Sequence, residues 1–352
     1  MIAILLCAIS PALAHAGVYS TVEPIPGPLA DETGMQPMPL ELFRSTLGDR
    51  IGLLRDPMQL GPTDPPLPES TLKRRQDYET KAAALTKKVK AGSGTIDDQV
   101  NLSAYLIGLG KFQDAIHLLE PVARGEGRAN FMVLSNLATA YQLAGQPERV
   151  PDYLQLARSC WPEKVPGMSD EQLKFYRQAD RLQLRLVLVR KAEAARQPAG
   201  VRRAPDSVDA LFGEPEDPIK FVGETGQYEA GKIAAKQKSK LPKDGLALVQ
   251  QLVLWLPDDT RLYWLLGEML NADGQIPEAY TVLDECVGGG RRYDAAELKE
   301  HRRILQEGLP KPPPPPPLFP DMQRAMVVAG GAVLVIGLLG YLQIRELRRR
   351  RS

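Results

Sequence analysis

The chain has 352 residues, 43% hydrophobic and 25% charged, with 31 Pro, 30 Gly and 7 Phe, at a formal charge of +1. That is enough apolar material for one or two domains with a real core, which excludes a wholly disordered chain and a many-pass membrane protein; the neutral balance also lacks the basic excess of a nucleic-acid-binding surface. Three Cys and three His, scattered along the chain, make neither a disulfide framework nor a metal-ligand pattern.

At the start, Ile2 to Ala14 is apolar, broken by Pro11, and Ala14-His15-Ala16 supplies small residues around a spacer. This predicts a secretory signal peptide over 1–16, cut after Ala16, although its first residues carry no Lys or Arg. Residues 17–68 are Pro-rich and expected to be largely extended and mobile. Their interruption, Leu40 to Leu54 (LELFRSTLGDRIGLL), has apolar residues at helical spacing and predicts a short amphipathic helix that docks on the body or on a partner.

Helical periodicity then dominates. A first block is expected over 69–197, with helices over 69–91 and 169–197, the latter opening on the capping-box spacing of Ser169 and Gln172. Residues 198–225, rich in Pro and Gly, are expected to link it to a second block over 226–308, with helices at Tyr228–Ser239, Lys243–Leu256 and 292–307. No stretch sustains the period-two alternation of strands, so the fold class is all-α.

Beyond the helices, Pro310-Lys311 and Pro312 to Pro317 predict a stiff polyproline stalk within 309–324. Ala325 to Ile344 is twenty uncharged residues long, about 30 Å as a helix, and predicts one C-terminal transmembrane helix. The five Arg within 345–352 place that tail in the cytoplasm and the helical part on the periplasmic side. With the tail's five Arg and one Glu set aside, 39 basic and 42 acidic residues remain, a slightly acidic ectodomain. Low Asn with abundant Ala, Pro, Gly and Arg points to a GC-rich bacterium.

The helical pairs repeat. Leu102-Ser103, Leu106, Gly110-Lys111-Phe112, Ala115 and Leu119 are matched 35 residues later by Leu137-Ala138, Tyr141, Gly145-Gln146-Pro147, Val150 and Leu154. The spacing returns in Leu266-Gly267, Leu270, Gly274-Gln275-Ile276, Ala279 and Leu283. This resembles the tetratricopeptide repeat, which joins two helices through a Gly turn and stacks the pairs into an α-solenoid. The bulky residue that opens the motif would be Leu134 and Tyr263 in the second and third units, with Gln99 a departure in the first; Pro162 closes the second.

The resemblance implies that ligands lie against the first helix of each pair. Carried over position by position, the groove would present Val100, Ala104 and Ile107, then Ser135, Thr139 and Gln142, then Arg261, Trp264, Glu268 and Asn271. The Lys/Asn/Arg set with which some relatives clamp a terminal carboxylate is missing. Trp264 with Arg261 is the candidate anchor, since exposed Trp and Arg are frequent interface hot spots; the other reading packs Trp264 against a neighbouring helix.

Catalysis finds little support. Beyond the leader only His117 and His301 remain, both expected on helix surfaces, and Cys160 and Cys286 are either two buried thiols or a bridge between blocks. No phosphate loop or nucleophile elbow occurs. The expectation is a non-enzymatic, membrane-anchored scaffold without cofactor, metal or small-molecule substrate, whose partners are proteins offering an extended peptide or a helix. The alternatives are a structural or oligomer-forming envelope component, or an enzyme subunit active through 18–68 or 197–225, segments without Cys or His.

Overall fold

Twelve α-helices run through the described part of the chain: α1 (Leu40–Leu54), α2 (Glu69–Lys90), α3 (Ile96–Gly108), α4 (Phe112–Arg124), α5 (Phe131–Leu143), α6 (Val150–Cys160), α7 (Asp170–Arg196), α8 (Ala235–Lys238), α9 (Gly245–Trp255), α10 (Thr260–Ala272), α11 (Ile276–Val287) and α12 (Ala296–Gly308). The computed structural model describes residues 18–310 apart from 33, 60, 62–64 and 198–204. The leader expected over 1–16, the transmembrane helix expected over 325–344, the basic tail and nearly all of the expected stalk therefore lie outside the described residues. Among the described residues no helix is long and apolar enough to cross a membrane.

From α2 to α7, and again from α9 to α12, each helix packs against its neighbour in sequence. The repeated positions explain how. Ala115, Val150 and Ala279, at one spacing, and Leu119, Leu154 and Leu283, at another, are all fully buried at the helix-pair contacts. Ser103, Ala138 and Gly267 hold the partner position, and smallness there sets the distance: a Cβ added to Gly267 would lie 2.0 Å from Leu283 Cδ1. The turn residues Gly110, Gly145 and Gly274 take left-handed φ values of +74°, +72° and +82°, where a side chain is strained. We expect Gly274→Val to lower stability by about 2 kcal/mol, since a β-branched residue is especially poor at that φ; a fall in the thermal unfolding midpoint of the α9–α12 part checks it.

The N-terminal region departs from expectation. Residues 17–68 were expected to be mobile outside 40–54, but among the described residues there Val18, Tyr19 and Met35 are buried, and residues 29–31 and 34–36 pair as a short antiparallel hairpin, β1 (Leu29–Asp31) with β2 (Gly34–Gln36). Helix α1 has the expected bounds and packs on α2, α3 and α9, so it touches both halves of the array. Arg75 holds its C-terminus by donating from Nη1 to Leu53 O and Arg55 O, at 2.7 and 2.9 Å.

The segment expected to link two blocks is also packed. Asp209, Leu211, Phe212, Ile219 and Phe221 are buried, and the described residues up to Leu309 form one compact unit. The helix expected at Tyr228–Ser239 shrinks to the single turn of α8, because Gly226 and Gly231 take left-handed φ values of +80° and +70° and break it.

Candidate functional site

The residues expected to line an open groove are covered by the chain itself. Val100, Ala104, Ile107, Ser135, Thr139, Arg261, Trp264, Glu268 and Asn271 are all buried, and among the candidates only Gln142 is partly exposed. Helix α7 supplies the cover over α5: Ser135 Oγ donates to Asp180 Oδ2 (2.8 Å), and Gln183 Nε2 donates to Gln142 Oε1 (2.9 Å) and Thr139 Oγ1 (3.3 Å). Trp264 donates from Nε1 to Glu268 Oε1 at 2.6 Å, and His301 Nδ1 lies 2.8 Å from the same oxygen. His301, expected on the surface, instead stacks on Tyr228 with centroids 3.6 Å apart. The reading in which Trp264 packs inside the helix stack is the one observed.

Arg261 lies in an ionic network. Its guanidinium meets Glu193 bidentately at 2.6 and 2.9 Å, donates from Nε to Ser207 O at 2.7 Å, and sits 3.1 Å from Asp209. Arg190 grips the other side of Asp209 at 2.9 and 2.6 Å and also binds Asp259, which caps α10 by accepting from Leu262 N. The network ties α7, the 205–209 segment and α10 together, so Arg261 is an internal fastener.

Sequence reasoning passed over the side chains that define the most distinctive face. Asn101 on α3 and Asn136 on α5 occupy equivalent positions 35 residues apart, each directly before the repeated Leu. They hold an extended segment of the chain. Tyr19 donates its N–H to Asn136 Oδ1 (3.0 Å), and Asn136 Nδ2 donates back to Tyr19 O (2.8 Å). Asn101 Oδ1 accepts from Thr21 N and Ser20 Oγ at 2.9 and 2.8 Å, while its Nδ2 donates to Thr21 Oγ1 at 2.8 Å. A buried main-chain N–H or C=O must find a partner, and here side-chain amides replace the missing sheet neighbour. The recurrence of Asn-Leu at the repeat spacing was the available signal. Asn101 also heads the sequon Asn101-Leu102-Ser103, but its amide is committed to this contact.

Further along, Gln250 and Gln251 of α9 repeat the device: Met38 N donates to Gln250 Oε1 (2.7 Å), Gln250 Nε2 to Met38 O (2.8 Å) and Gln251 Nε2 to Pro26 O (3.3 Å). Asn271, carried over as a groove residue, does the same to the chain at Gly231 N (2.6 Å) and Glu229 O (3.1 Å).

The Tyr19 side chain fills a slot of aromatic rings. Its centroid lies 5.4 Å from Phe131, 5.6 Å from Trp161, 5.7 Å from Trp255 and 6.1 Å from Tyr176, in edge or tilted arrangements that favour aromatic pairs. At its base, Asp180 accepts from Tyr19 Oη (2.9 Å), Ser135 Oγ (2.8 Å) and Trp161 Nε1 (3.2 Å). Burial raises the carboxyl and the three hydrogen bonds lower it, leaving its pKa at about 6.

The native state thus binds a proton on Asp180 more tightly than the unfolded chain. The stability this contributes is complete below the ordinary carboxylate range and is lost as pH rises through about 6. His301 has the same sign: burial opposes its charge, but the hydrogen bond to Glu268 and the nearby carboxylates outweigh it and raise its pKa. Stability should therefore fall between pH 4 and 7, by about 3 kcal/mol for the Asp180 part. Urea unfolding across that range checks it, with Asp180→Asn expected to flatten the profile below pH 6.

Two of the clefts among the described residues lie beside side chains named above. One, of about 640 Å³, is lined in part by Gln142, Phe112, Leu143, Val187 and Leu256, with Arg190 and Asp259 at the same cleft. The other, of about 690 Å³, flanks Ser20 and Thr21 and reaches Ile96, Phe131, Met132 and Lys164. Among the described residues no cluster of His, Cys, Asp or Glu is arranged to hold a metal ion, Cys160 and Cys286 are both free, and His117 is exposed on α4. No protein-family model matches the chain, and no curated protein matches it.

Proposed function

We propose that this chain is a non-catalytic, membrane-anchored scaffold. Its helical pairs act as a tetratricopeptide-like array held on the periplasmic side by the Ala325–Ile344 segment, with the Arg-rich tail in the cytoplasm. Protein partners bind along the face shared by α3, α5 and α7. The observation that supports this is the pair Asn101 and Asn136: two equivalent repeat positions whose amides take the main chain of an extended segment. The apolar span and the basic tail support the anchoring and its direction.

A photo-crosslinking residue placed at Ile96 or Met168, on the rim of the 690 Å³ cleft, tests the reading in the full chain in its own membrane. Discrete protein adducts from both positions are expected. Their absence, with equal expression of the chain, removes this face as the partner site. Protease treatment of spheroplasts tests the orientation, and survival of the helical part would overturn it.

A further inference from the structure

Residues 18–23 form neither helix nor strand, yet Val18, Tyr19 and Ser20 are buried. Side chains take five of their main-chain groups: Asn136 takes both groups of Tyr19, Asn101 takes Thr21 N, and Ser20 Oγ accepts from Val22 N and Glu23 N at 3.2 and 3.1 Å. Amide side chains paired with a main chain read no sequence, so they would grip any extended segment in the same register. Selectivity comes from what the slot surrounds, an aromatic ring with a hydroxyl at its tip, and from Asn101, which binds the two hydroxyls that follow.

Two further observations bear on exchange. The anchors of Pro26 and Met38 by Gln251 and Gln250 are separate from those of residues 18–23, so residues 18–23 can leave while residues 26–38 keep their own anchors. The cleft of about 690 Å³ runs alongside Ser20 and Thr21, which gives an arriving chain somewhere to seat before the resident one has gone.

We propose that residues 18–23 are a displaceable internal ligand, and that the partner is an extended peptide in which a tyrosine is followed by two hydroxyl residues. This rests on the reading of the α3–α5–α7 face as a protein-binding one. The resident segment keeps the face closed until such a peptide competes for it. Because a tethered segment competes at an effective concentration near millimolar, free peptide should bind the intact chain weakly.

The probe is the peptide Gly-Val-Tyr-Ser-Thr-Val-Glu-Pro, labelled at its C-terminus, added to the full chain in detergent. Tyr19→Ala empties the slot, and its affinity for the peptide is expected to exceed that of the unchanged chain by about tenfold or more. Adding Asn136→Ala should abolish that gain, as should replacing the peptide's own tyrosine by alanine. Equal binding by Tyr19→Ala and the unchanged chain, with helicity and cooperative unfolding retained, overturns the proposal.

Should Tyr19→Ala not fold, hydrogen exchange on the unchanged chain decides. Millimolar peptide is expected to accelerate exchange over residues 18–23 and leave 26–38 protected; no acceleration overturns the proposal. The crosslinking test can succeed or fail independently, because it asks whether any partner reaches the cleft rather than whether residues 18–23 give way.

Discussion

Asp209→Ala is expected to destabilise the protein by about 3 kcal/mol, because it leaves two guanidinium groups facing each other where a buried carboxylate stood between them. Asp209 has no exposed surface and meets Arg190 through both oxygens and Arg261 through one. Removing one partner from such a cluster costs more than the cluster contributes, since the remaining charges stay desolvated. Asp259 and Glu193 still neutralise the two arginines, and Arg190 is partly exposed, which keeps the effect from the top of the range for buried pairs. Urea unfolding followed by circular dichroism measures it. A change below about 0.5 kcal/mol, the size of an ordinary surface substitution, would show that the 205–209 segment is not fastened to α7 and α10.

Trp264→Ala should cost about 3–5 kcal/mol, the usual range for truncating a buried large aromatic. The side chain has no exposed surface, its ring lies 5.8 Å from that of Tyr293, and its N–H is one of the donors to the buried Glu268 carboxylate. The substitution leaves a cavity and also strips a hydrogen bond from a buried charge. Trp264→Phe should recover much of the packing and none of the hydrogen bond, so its loss should be intermediate. The same chemical denaturation series separates the two sources. An exposed interface anchor would behave differently, because its truncation would leave stability nearly unchanged and weaken only partner binding.

Much of the local structure was legible because it depends on neighbours in sequence. The bounds of α1 follow from apolar spacing, and the Ser169–Gln172 capping box is present with hydrogen bonds of 2.9 and 3.2 Å. The turn glycines are left-handed where the repeat placed them. What the residues touch was less legible, because periodicity shows which face of a helix is turned inward and not what lies against it. Ser135 and Thr139 lie on the expected face, but α7 rests on it. The amides Asn101, Asn136, Gln250 and Gln251 were invisible as a group, since the segments they hold are far away in sequence and have no regular structure to signal their course. Tyr228–Ser239 misled for a related reason: its apolar spacing is helical, but the main chain at Gly231 is taken by Asn271, 40 residues on.

The amide contacts of the N-terminal region also set an order of assembly. Tyr19 closes on Asn136 and Asp180 across 117 and 161 residues, and Met38 on Gln250 across 212. The first part of this region to be synthesised is therefore among the last to be satisfied. Contacts between residues so distant form late and slow folding, since the loops between them must close before any of these bonds repays the lost entropy. Until α9 has been made and has packed, Tyr19 lacks the Trp255 ring and α1 lacks one of the three helices it rests on. The interval in which the chain most needs protection from aggregation thus lasts through most of its synthesis.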